Sequence, residues 1–278
     1  MSIHYESYIS RLRSIWERSD SERERIINLM NSFFNLKGSN SLVNLPPCFF
    51  SGNIKSQGRI FLLTANPKFT PISTPNEIKQ HAMTKSTRWD FTRWTDYCLN
   101  RFLKYKKEQE VHPIYKEAIK VILDCSSIKE LRRKFGDSRI VLQNNLINLD
   151  WCPYYSSSFS SSKFPLQILH KQKAEYENVS SEISLWNELL LDAISLNQPK
   201  YVLVFGKNYD FWLRSIADID DEPLVRSHST ATINKGYFRN KYHTPLIYTN
   251  TSLSGSNKEY MPFIRKRLPT VLNAQFKP

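Results

Sequence analysis

The chain has 278 residues, of which 39 are lysine or arginine and 26 are aspartate or glutamate, giving a formal net charge of +13. Its hydrophobic fraction of 40% and aromatic fraction of 13% exclude disordered, collagen-like and coiled-coil proteins. No apolar run approaches the ~20 residues of a membrane span, and the N-terminus lacks the apolar core of a secretory signal. We therefore expect a cytoplasmic globular protein without membrane contact, whose positive charge favours nucleic acid as a partner.

The cysteines show neither a CxxC pair nor the ligand spacing of a zinc site. Because a secretory signal is lacking, we expect four reduced thiols rather than disulfides. Clustered cysteines, which an iron–sulfur centre would need, are also missing. The sequence thus predicts no metal and no cofactor. The cysteines are Cys48, Cys98, Cys125 and Cys152.

The first part of the chain predicts helices over residues 3–37, with a helix start at 19–22. Residues 59–64 form an almost continuous apolar run, which is typical of a strand buried on both faces of a parallel sheet. The polar region that follows predicts further helices near 88–105, 113–123 and 128–135.

The second part predicts strands over 139–149, 200–205 and 245–249, with short strands within 222–243. Helices are predicted near 182–196, 209–216 and 258–268. Strands that alternate with helices favour an α/β fold, a three-layer α/β/α sandwich with a mainly parallel sheet. We expect one domain over 1–278, with a helical extension at 1–45 and a helical insertion at 70–138.

In such sheets, ligands bind beyond the carboxyl ends of the strands. Four segments follow predicted core strands: ANPKF at 65–69, DWCPYY at 150–155, GKN at 206–208 and NTSLSG at 250–255. They contain no GxGxxG fingerprint, no phosphate-binding GKS/T loop and no GxSxG elbow, which weakens dinucleotide, NTPase and α/β-hydrolase interpretations.

Taken together in this order, the four segments resemble the uracil-DNA glycosylase superfamily, most closely its single-strand-selective monofunctional branch. FLLTANPKF is similar to its Asn-Pro or Asp-Pro motif, and INLDWCPYY to the segment with a pyrimidine-reading residue and a Cys-Pro pair. YVLVFGKNYDFWLR and YTNTSLSGS are similar to its later strand and its His-Pro-Ser-type loop. The resemblance implies a glycosylase-like fold and the hydrolysis of an N-glycosidic bond in DNA.

The resemblance also implies individual roles. Asn66 would position the attacking water through its amide. Asn250 stands where the family commonly has a histidine that hydrogen-bonds the base; asparagine can donate a hydrogen bond but cannot titrate. Leu253 corresponds to the wedge that fills the gap left by a flipped base. Further DNA contacts are expected from Ser252, Ser254 and Lys207, and Tyr154 and Tyr155 are expected to line a DNA groove.

Asp150 aligns with an asparagine that reads uracil in uracil-specific members. A protonated aspartate can donate to N3 of a cytosine while accepting from its N4 amino group, and burial in an apolar pocket favours that form. This alignment predicts a cytosine-type base. In the alternative alignment Asn148, two residues earlier on the same strand face, reads the base and uracil is the target.

Lys68 matches a tyrosine that blocks groups on pyrimidine C5 in uracil-specific enzymes. A flexible lysine would admit a hydroxylated C5 substituent, which suggests hydroxymethylated or glucosylated cytosine as found in some phage DNA. Phe69 is the first choice for stacking on the flipped base, followed by Trp89 and Phe91.

We therefore predict a monomeric, monofunctional DNA glycosylase that removes a modified cytosine in anti-phage defence. Two alternatives stay open, a uracil-DNA glycosylase of base excision repair and a non-catalytic DNA-binding module of the same fold. A metal-dependent nuclease would need clustered carboxylates, and the strand ends offer only Asp150.

Overall fold

The structure is a computed structural model that describes residues 2–56, 59–65, 67–68, 70–85, 88–157, 173–206, 210–226, 231–250 and 261–275. The chain divides into two compact units. The first comprises Met1–Phe50, Thr64–Leu99 and Leu149–Leu196, and the second comprises Ser51–Leu63, Asn100–Asn148 and Asn197–Pro278.

The described α-helices, in chain order, are α1 (Ser2–Trp16), α2 (Asp20–Phe33), α3 (Ser73–Ala82), α4 (Phe91–Leu99), α5 (Arg101–Lys104), α6 (Pro113–Ile122), α7 (Ile128–Phe135), α8 (Ser138–Asn145), α9 (Lys173–Asn197), α10 (Asp210–Leu213) and α11 (Met261–Gln275). The described strands are β1 (Phe50–Ser51), β2 (Ile60–Thr64), β3 (Leu146–Asp150), β4 (Val202–Phe205), β5 (Ala217–Ile219), β6 (Val225–Arg226), β7 (Thr232–Phe238) and β8 (Pro245–Thr249). Within these residues, no helix combines the length and the apolar composition that a membrane crossing requires.

The helical N-terminal region is confirmed, with α1 and α2 in the first unit. The Ser19 side chain accepts a hydrogen bond from the backbone N–H of Glu22 at 3.2 Å, which caps α2 where the sequence predicts a helix start. Leu12, Ile15 and Trp16 are buried on one side of α1. Their spacing of three and four residues places them on the same face of the helix.

The strands form a mixed sheet in the order β1-β3-β2-β4-β8-β7-β5, with β6 paired to β7. The parallel alignment of β2, β4 and β8 puts Leu62 opposite Leu203 and Leu203 opposite Ile247. Every residue of β4 is buried, as expected for a parallel strand covered on both faces. β7 is antiparallel to β8, to β5 and to β6, so the α/β class is confirmed with a sheet that is only mostly parallel.

The prediction of a strand over 139–149 is wrong for its first seven residues. Residues Ser138–Asn145 form α8, and the strand begins at Leu146. The Asp137 side chain accepts from the backbone N–H of Arg139 at 2.8 Å and caps the helix. Ile140 is 52% exposed whereas Val141 and Leu142 are buried, which is a helical rather than an alternating pattern.

Other boundaries also differ from the predictions. The helix predicted near 88–105 is divided into α4 and α5, and the one near 209–216 is described only as the short α10. The short strands predicted within 222–243 are confirmed as β6 and β7. The helix predicted near 182–196 is part of the 25-residue α9.

The core of the second unit lies between one face of the sheet and the helices α6, α7, α8 and α11. Leu62, Leu203 and Ile247 supply the sheet side of this cluster, and Ile119 and Leu142 are among the helix residues that pack against it. β3 lies on one side of β2 and β4 on the other, although the chain visits β2 first. The direction of winding therefore changes at β2, and ligands of α/β sheets bind at the carboxyl ends of strands at such a point.

Gly236 of β7 lies where β7 and β5 pack closely, so a substitution there probes the antiparallel part of the sheet. A Cβ atom at this position would lie 2.3 Å from the carbonyl oxygen of Asp218 on β5. We expect Gly236→Ala to lower the free energy of unfolding by about 3 kcal/mol, because the strands must separate to admit the methyl group. Urea denaturation measures this.

Gly38→Ala is the control, since its φ is +58° but no atom lies within 4 Å of the added Cβ. It should cost only the left-handed backbone conformation, about 1 kcal/mol. Equal losses in the two variants would contradict close contact between β5 and β7.

Candidate functional site

The chain segments that leave β2 and β3 run side by side within the first unit. The backbone N–H of Trp151 donates to the carbonyl of Thr64 at 3.0 Å, and that of Cys152 donates to the carbonyl of Ala65 at 2.8 Å. Further along, the N–H of Ser156 donates to the carbonyl of Pro67 at 3.3 Å. The structure thus brings together the Asn-Pro and Asp-x-Cys-Pro segments, which the sequence places some eighty residues apart.

Asp150, the last residue of β3, carries a buried carboxyl group. The residue is 8% exposed, and its Oδ1 accepts a hydrogen bond from the Thr64 hydroxyl at 2.6 Å. Its backbone N–H donates to the carbonyl of Phe49 at 3.2 Å. A buried carboxyl group requires such a partner, because desolvation without hydrogen bonds costs several kcal/mol or more.

Thr64 can support both protonation states of Asp150. Its Oγ1 lies 2.6 Å from Asp150 Oδ1 and 3.2 Å from the carbonyl oxygen of Leu149, but a hydroxyl has only one hydrogen to donate. When that hydrogen goes to Asp150, the ionised carboxylate is stabilised. When it goes to Leu149, a proton on Asp150 can fill the shorter contact. Sequence reasoning missed Thr64, although it is the last residue of the predicted strand at 59–64.

A small cavity adjoins Asp150 in the first unit. Its volume open to the centre of a water molecule is about 10 Å³, which is room for about one water. It therefore cannot hold a pyrimidine ring. The cavity is lined by Phe49, Leu149, Asp150, Trp151, Pro153, Trp186, Leu189 and Leu190.

Cys152, two residues after Asp150, is a structural thiol. Burial raises its pKa, a backbone hydrogen bond with Tyr154 lowers it by a smaller amount, and the carboxylates of Asp150 and Glu182 raise it slightly further. The thiolate is the nucleophilic form of cysteine, so a raised pKa argues against a nucleophilic role. The Cys-Pro pair here serves packing.

Tyr154 and Tyr155 are fully buried, so the prediction that they line a DNA groove is wrong. The Tyr154 ring packs against Trp186 with ring centroids 6.0 Å apart. Its hydroxyl accepts a hydrogen bond from Arg18, which is also paired with the largely buried carboxylate of Glu182. Burial and then Glu182 raise the pKa of Tyr154. Tyrosine has both an apolar ring and a hydroxyl group. Here the apolar ring is buried in the core, and the hydroxyl group is hydrogen-bonded inside the protein.

Three other predicted site residues are described. Asn148 is buried on β3, on the strand face shared with Asp150. Lys68 is exposed, and its backbone forms a parallel bridge with Ser156. In the second unit, Asn250 Oδ1 accepts from the backbone N–H of Thr232 at 2.9 Å, which fixes the orientation of its amide. The predicted residues Asn66, Phe69, Lys207, Ser252, Leu253 and Ser254 lie outside the described residues.

The described residues contain no group of three or more His, Cys, Asp or Glu side chains arranged to hold a metal ion. All four cysteines are buried thiols that form no disulfide. No protein-family model, no curated protein and no solved structure matches this chain. Its function must therefore be inferred from its own residues and their geometry.

The hydrogen bond between Thr64 and Asp150 can be tested by substitution. We expect Thr64→Val to lower the free energy of unfolding by ~1–3 kcal/mol, because a buried carboxyl oxygen loses a donor. Thr64→Ser keeps the hydroxyl and should lose ~1 kcal/mol or less for the missing methyl group. Urea denaturation of both variants measures the difference. A valine variant at least as stable as the serine variant would show that the hydroxyl does not stabilise Asp150.

The raised pKa of Cys152 predicts low thiol reactivity. At about pH 8, iodoacetamide should alkylate Cys152 in the folded protein more than about tenfold more slowly than in concentrated urea, since both burial and a reduced thiolate fraction protect it. Peptide mass spectrometry measures the labelled fraction. Labelling of native Cys152 at the unfolded rate would contradict a buried neutral thiol.

Proposed function

We propose that the protein is a monofunctional DNA glycosylase of the uracil-DNA glycosylase type, with a three-layer α/β/α core, acting as a cytoplasmic monomer. It would flip a modified cytosine out of DNA and hydrolyse its N-glycosidic bond to leave an abasic site. The expected target is hydroxymethylated or glucosylated cytosine, as in phage DNA, and the expected role is defence against phage.

The buried, hydrogen-bonded carboxyl of Asp150 is the observation that carries this proposal, and because the cavity beside it holds only about one water, the flipped base would have to reach the carboxyl from outside that cavity. It ends a core strand, directly beside the segment that leaves β2. A protonated carboxyl group presents one donor and one acceptor, which matches N3 and the N4 amino group of cytosine. Because Thr64 can serve either protonation state, Asp150 is suited to holding a proton and to releasing it.

The proposed reaction is a hydrolysis. Asp150 donates its proton to N3 of the flipped cytosine while the bond between C1′ and N1 breaks, so that the base departs as a neutral molecule. A water held by the Asn66 amide forms the new bond to C1′ and releases its proton to solvent, and Asp150 then takes up a proton from solvent.

Lys68 supports a substituted rather than a plain cytosine. Its side chain is exposed on the segment hydrogen-bonded to the Asp150 segment. An exposed lysine leaves room for a C5 substituent, and its ammonium group can donate to sugar or hydroxymethyl oxygens.

A uracil-DNA glycosylase is the second candidate, and the position of Asn148 favours it. Asn148 is buried on the same strand face as Asp150, and a carboxamide can accept from N3–H and donate to O4 of uracil. In that case Asp150 would support the pocket rather than read the base.

The first experiment uses end-labelled oligonucleotides that carry uracil, cytosine, hydroxymethylcytosine or glucosylated hydroxymethylcytosine, followed by alkaline cleavage of abasic sites. We expect cleavage at a modified cytosine only. Asp150→Asn should reduce it by about 100-fold or more, since the amide cannot supply the proton. Asp221→Asn, a change at an exposed aspartate, is the matched control and should leave the rate unchanged.

Each other outcome has a defined meaning. Cleavage at uracil, lost in Asn148→Ala, would overturn the cytosine assignment in favour of a repair enzyme. Intact DNA after prolonged incubation, with binding retained, would overturn catalysis and favour a DNA-binding module.

A further inference from the structure

Two paired segments of the first unit, 83–85 and 88–89, present a tryptophan to solvent. Met83 and Trp89 form an antiparallel backbone bridge, and the backbone N–H of Thr84 donates to the carbonyl of Arg88 at 2.9 Å. The Thr84 hydroxyl accepts from the N–H of Arg88 at 3.3 Å. Trp89 is 39% exposed even though it lies on this hydrogen-bonded segment. The backbone that carries the indole is therefore fixed by hydrogen bonds.

The inner side of Trp89 packs on a buried aromatic cluster. Its ring meets that of Trp16 edge to face, with centroids 6.5 Å apart, and Trp16 in turn contacts Phe91 at 5.7 Å. The Arg13 guanidinium lies 5.2 Å from the centroid of the Phe91 ring. Phe91 is only 5% exposed, so it cannot stack on a base as the sequence suggested. Trp89 is the exposed member of the cluster, and Arg13 places a cation on another of its rings, that of Phe91.

Three exposed cations lie within four residues of this tryptophan along the chain, and Arg13 reaches the same aromatic cluster through Phe91. Arg13, Lys85, Arg88 and Arg93 are all exposed, and none of them forms an ion pair within the part of the chain that the structure describes. Nearby carboxylates are fewer: Glu17 just after α1, Asp90, whose Oδ1 accepts from the backbone N–H of Arg93, and Asp96 on α4.

A second pair of exposed aromatics differs in this respect. On β7 and the turn after it, Tyr237 and Tyr242 also have lysines over their rings. The strand paired with β7, however, carries Asp218 opposite Tyr237 and leads into the acidic run at 220–222. Those carboxylates disfavour a polyanion there, which leaves Trp89 as the stronger candidate.

We propose that one surface of the first unit binds single-stranded nucleic acid. This surface, called the Trp89 surface, consists of Arg13, Lys85, Arg88, Trp89 and Arg93. An unpaired base would stack on the indole while the cations contact phosphates on either side. Bases within a duplex are already stacked and cannot offer a face to the ring. A protein partner would need a contiguous apolar patch. Among the described residues of this unit, the most exposed large apolar side chains are only two, Trp89 and Ile72, which is too few for such a patch.

The proposal of a Trp89 surface rests on the proposed function only in that the ligand is a nucleic acid. It does not depend on base excision, because stacking on Trp89 needs neither Asp150 nor a target base. A substrate strand would be held by its neighbouring nucleotides while the strand-end site handles the base.

The test is fluorescence anisotropy of a labelled twenty-nucleotide oligothymidine, which carries no base that the proposed enzyme would remove. We expect Trp89→Ala to weaken binding about tenfold and Trp89→Phe, which keeps an aromatic ring, to stay within about threefold of the native protein. Arg13→Gln should reduce the slope of log K against log salt by about 0.7.

The controls are Leu224→Ala, whose side chain is 38% exposed, and Arg267→Gln, an exposed arginine of α11. Neither should change binding. Circular dichroism and the melting temperature verify that each variant is folded.

Native-like binding by Trp89→Ala would overturn the proposal, as would an equal loss in Leu224→Ala. The same tenfold loss on a blunt-ended duplex would show that the surface binds duplex phosphates rather than unstacked bases. A failure of base excision in the oligonucleotide assay would leave this result untouched, so the two proposals fail separately.

Discussion

The burial of the Asp150 carboxyl is the constraint on which the arrangement of the first unit's strand-end segments depends. A carboxyl group removed from water must be hydrogen-bonded, and here the Thr64 hydroxyl supplies a bond of 2.6 Å. That contact requires the ends of β2 and β3 to stay in one alignment, which the backbone bonds from Trp151 to Thr64 and from Cys152 to Ala65 maintain. Slippage by one residue would turn Thr64 away from Asp150, since successive side chains in a strand point to opposite faces.

The sequence predicts the fold best where burial is complete. The strands at 60–64, 202–205 and 245–249 were located because a parallel strand covered on both faces leaves an uninterrupted apolar run. The strand prediction over 139–149 fails for the same reason, because the apolar residues of this segment also fit a strand. Only the helix cap at Asp137 and the exposure of Ile140 identify a helix there. Within the candidate site, the chemistry of its side chain identifies Asp150 from the sequence. Its partner Thr64 cannot be identified in this way, because only the alignment of β2 with β3 brings the two side chains together.

The positive charge of the chain is divided between structural and exposed cations. In the first unit, Arg18 pairs with Glu182 and reaches the hydroxyl of Tyr154, and Arg11 pairs with Glu188 and Asp192 on α9. These arginines join helices of the unit and are committed to its packing. Arg13, one turn from the end of α1, instead remains exposed against Phe91. The net charge alone does not distinguish structural arginines from exposed ones. The contacts of each arginine make that distinction.

A single carboxyl group that both reads the base and supplies its proton would couple recognition to rate. A hydrogen bond to N3 strengthens as charge develops on the departing base, so it stabilises the transition state more than the bound substrate. An amide at the same place would bind the base without this gain. Cys152, whose pKa burial raises, offers no nucleophile beside it, so in the proposed reaction the proton transfer would fall to Asp150. In the proposed reaction, specificity for a cytosine-type base would follow from the same proton that makes the base a better leaving group.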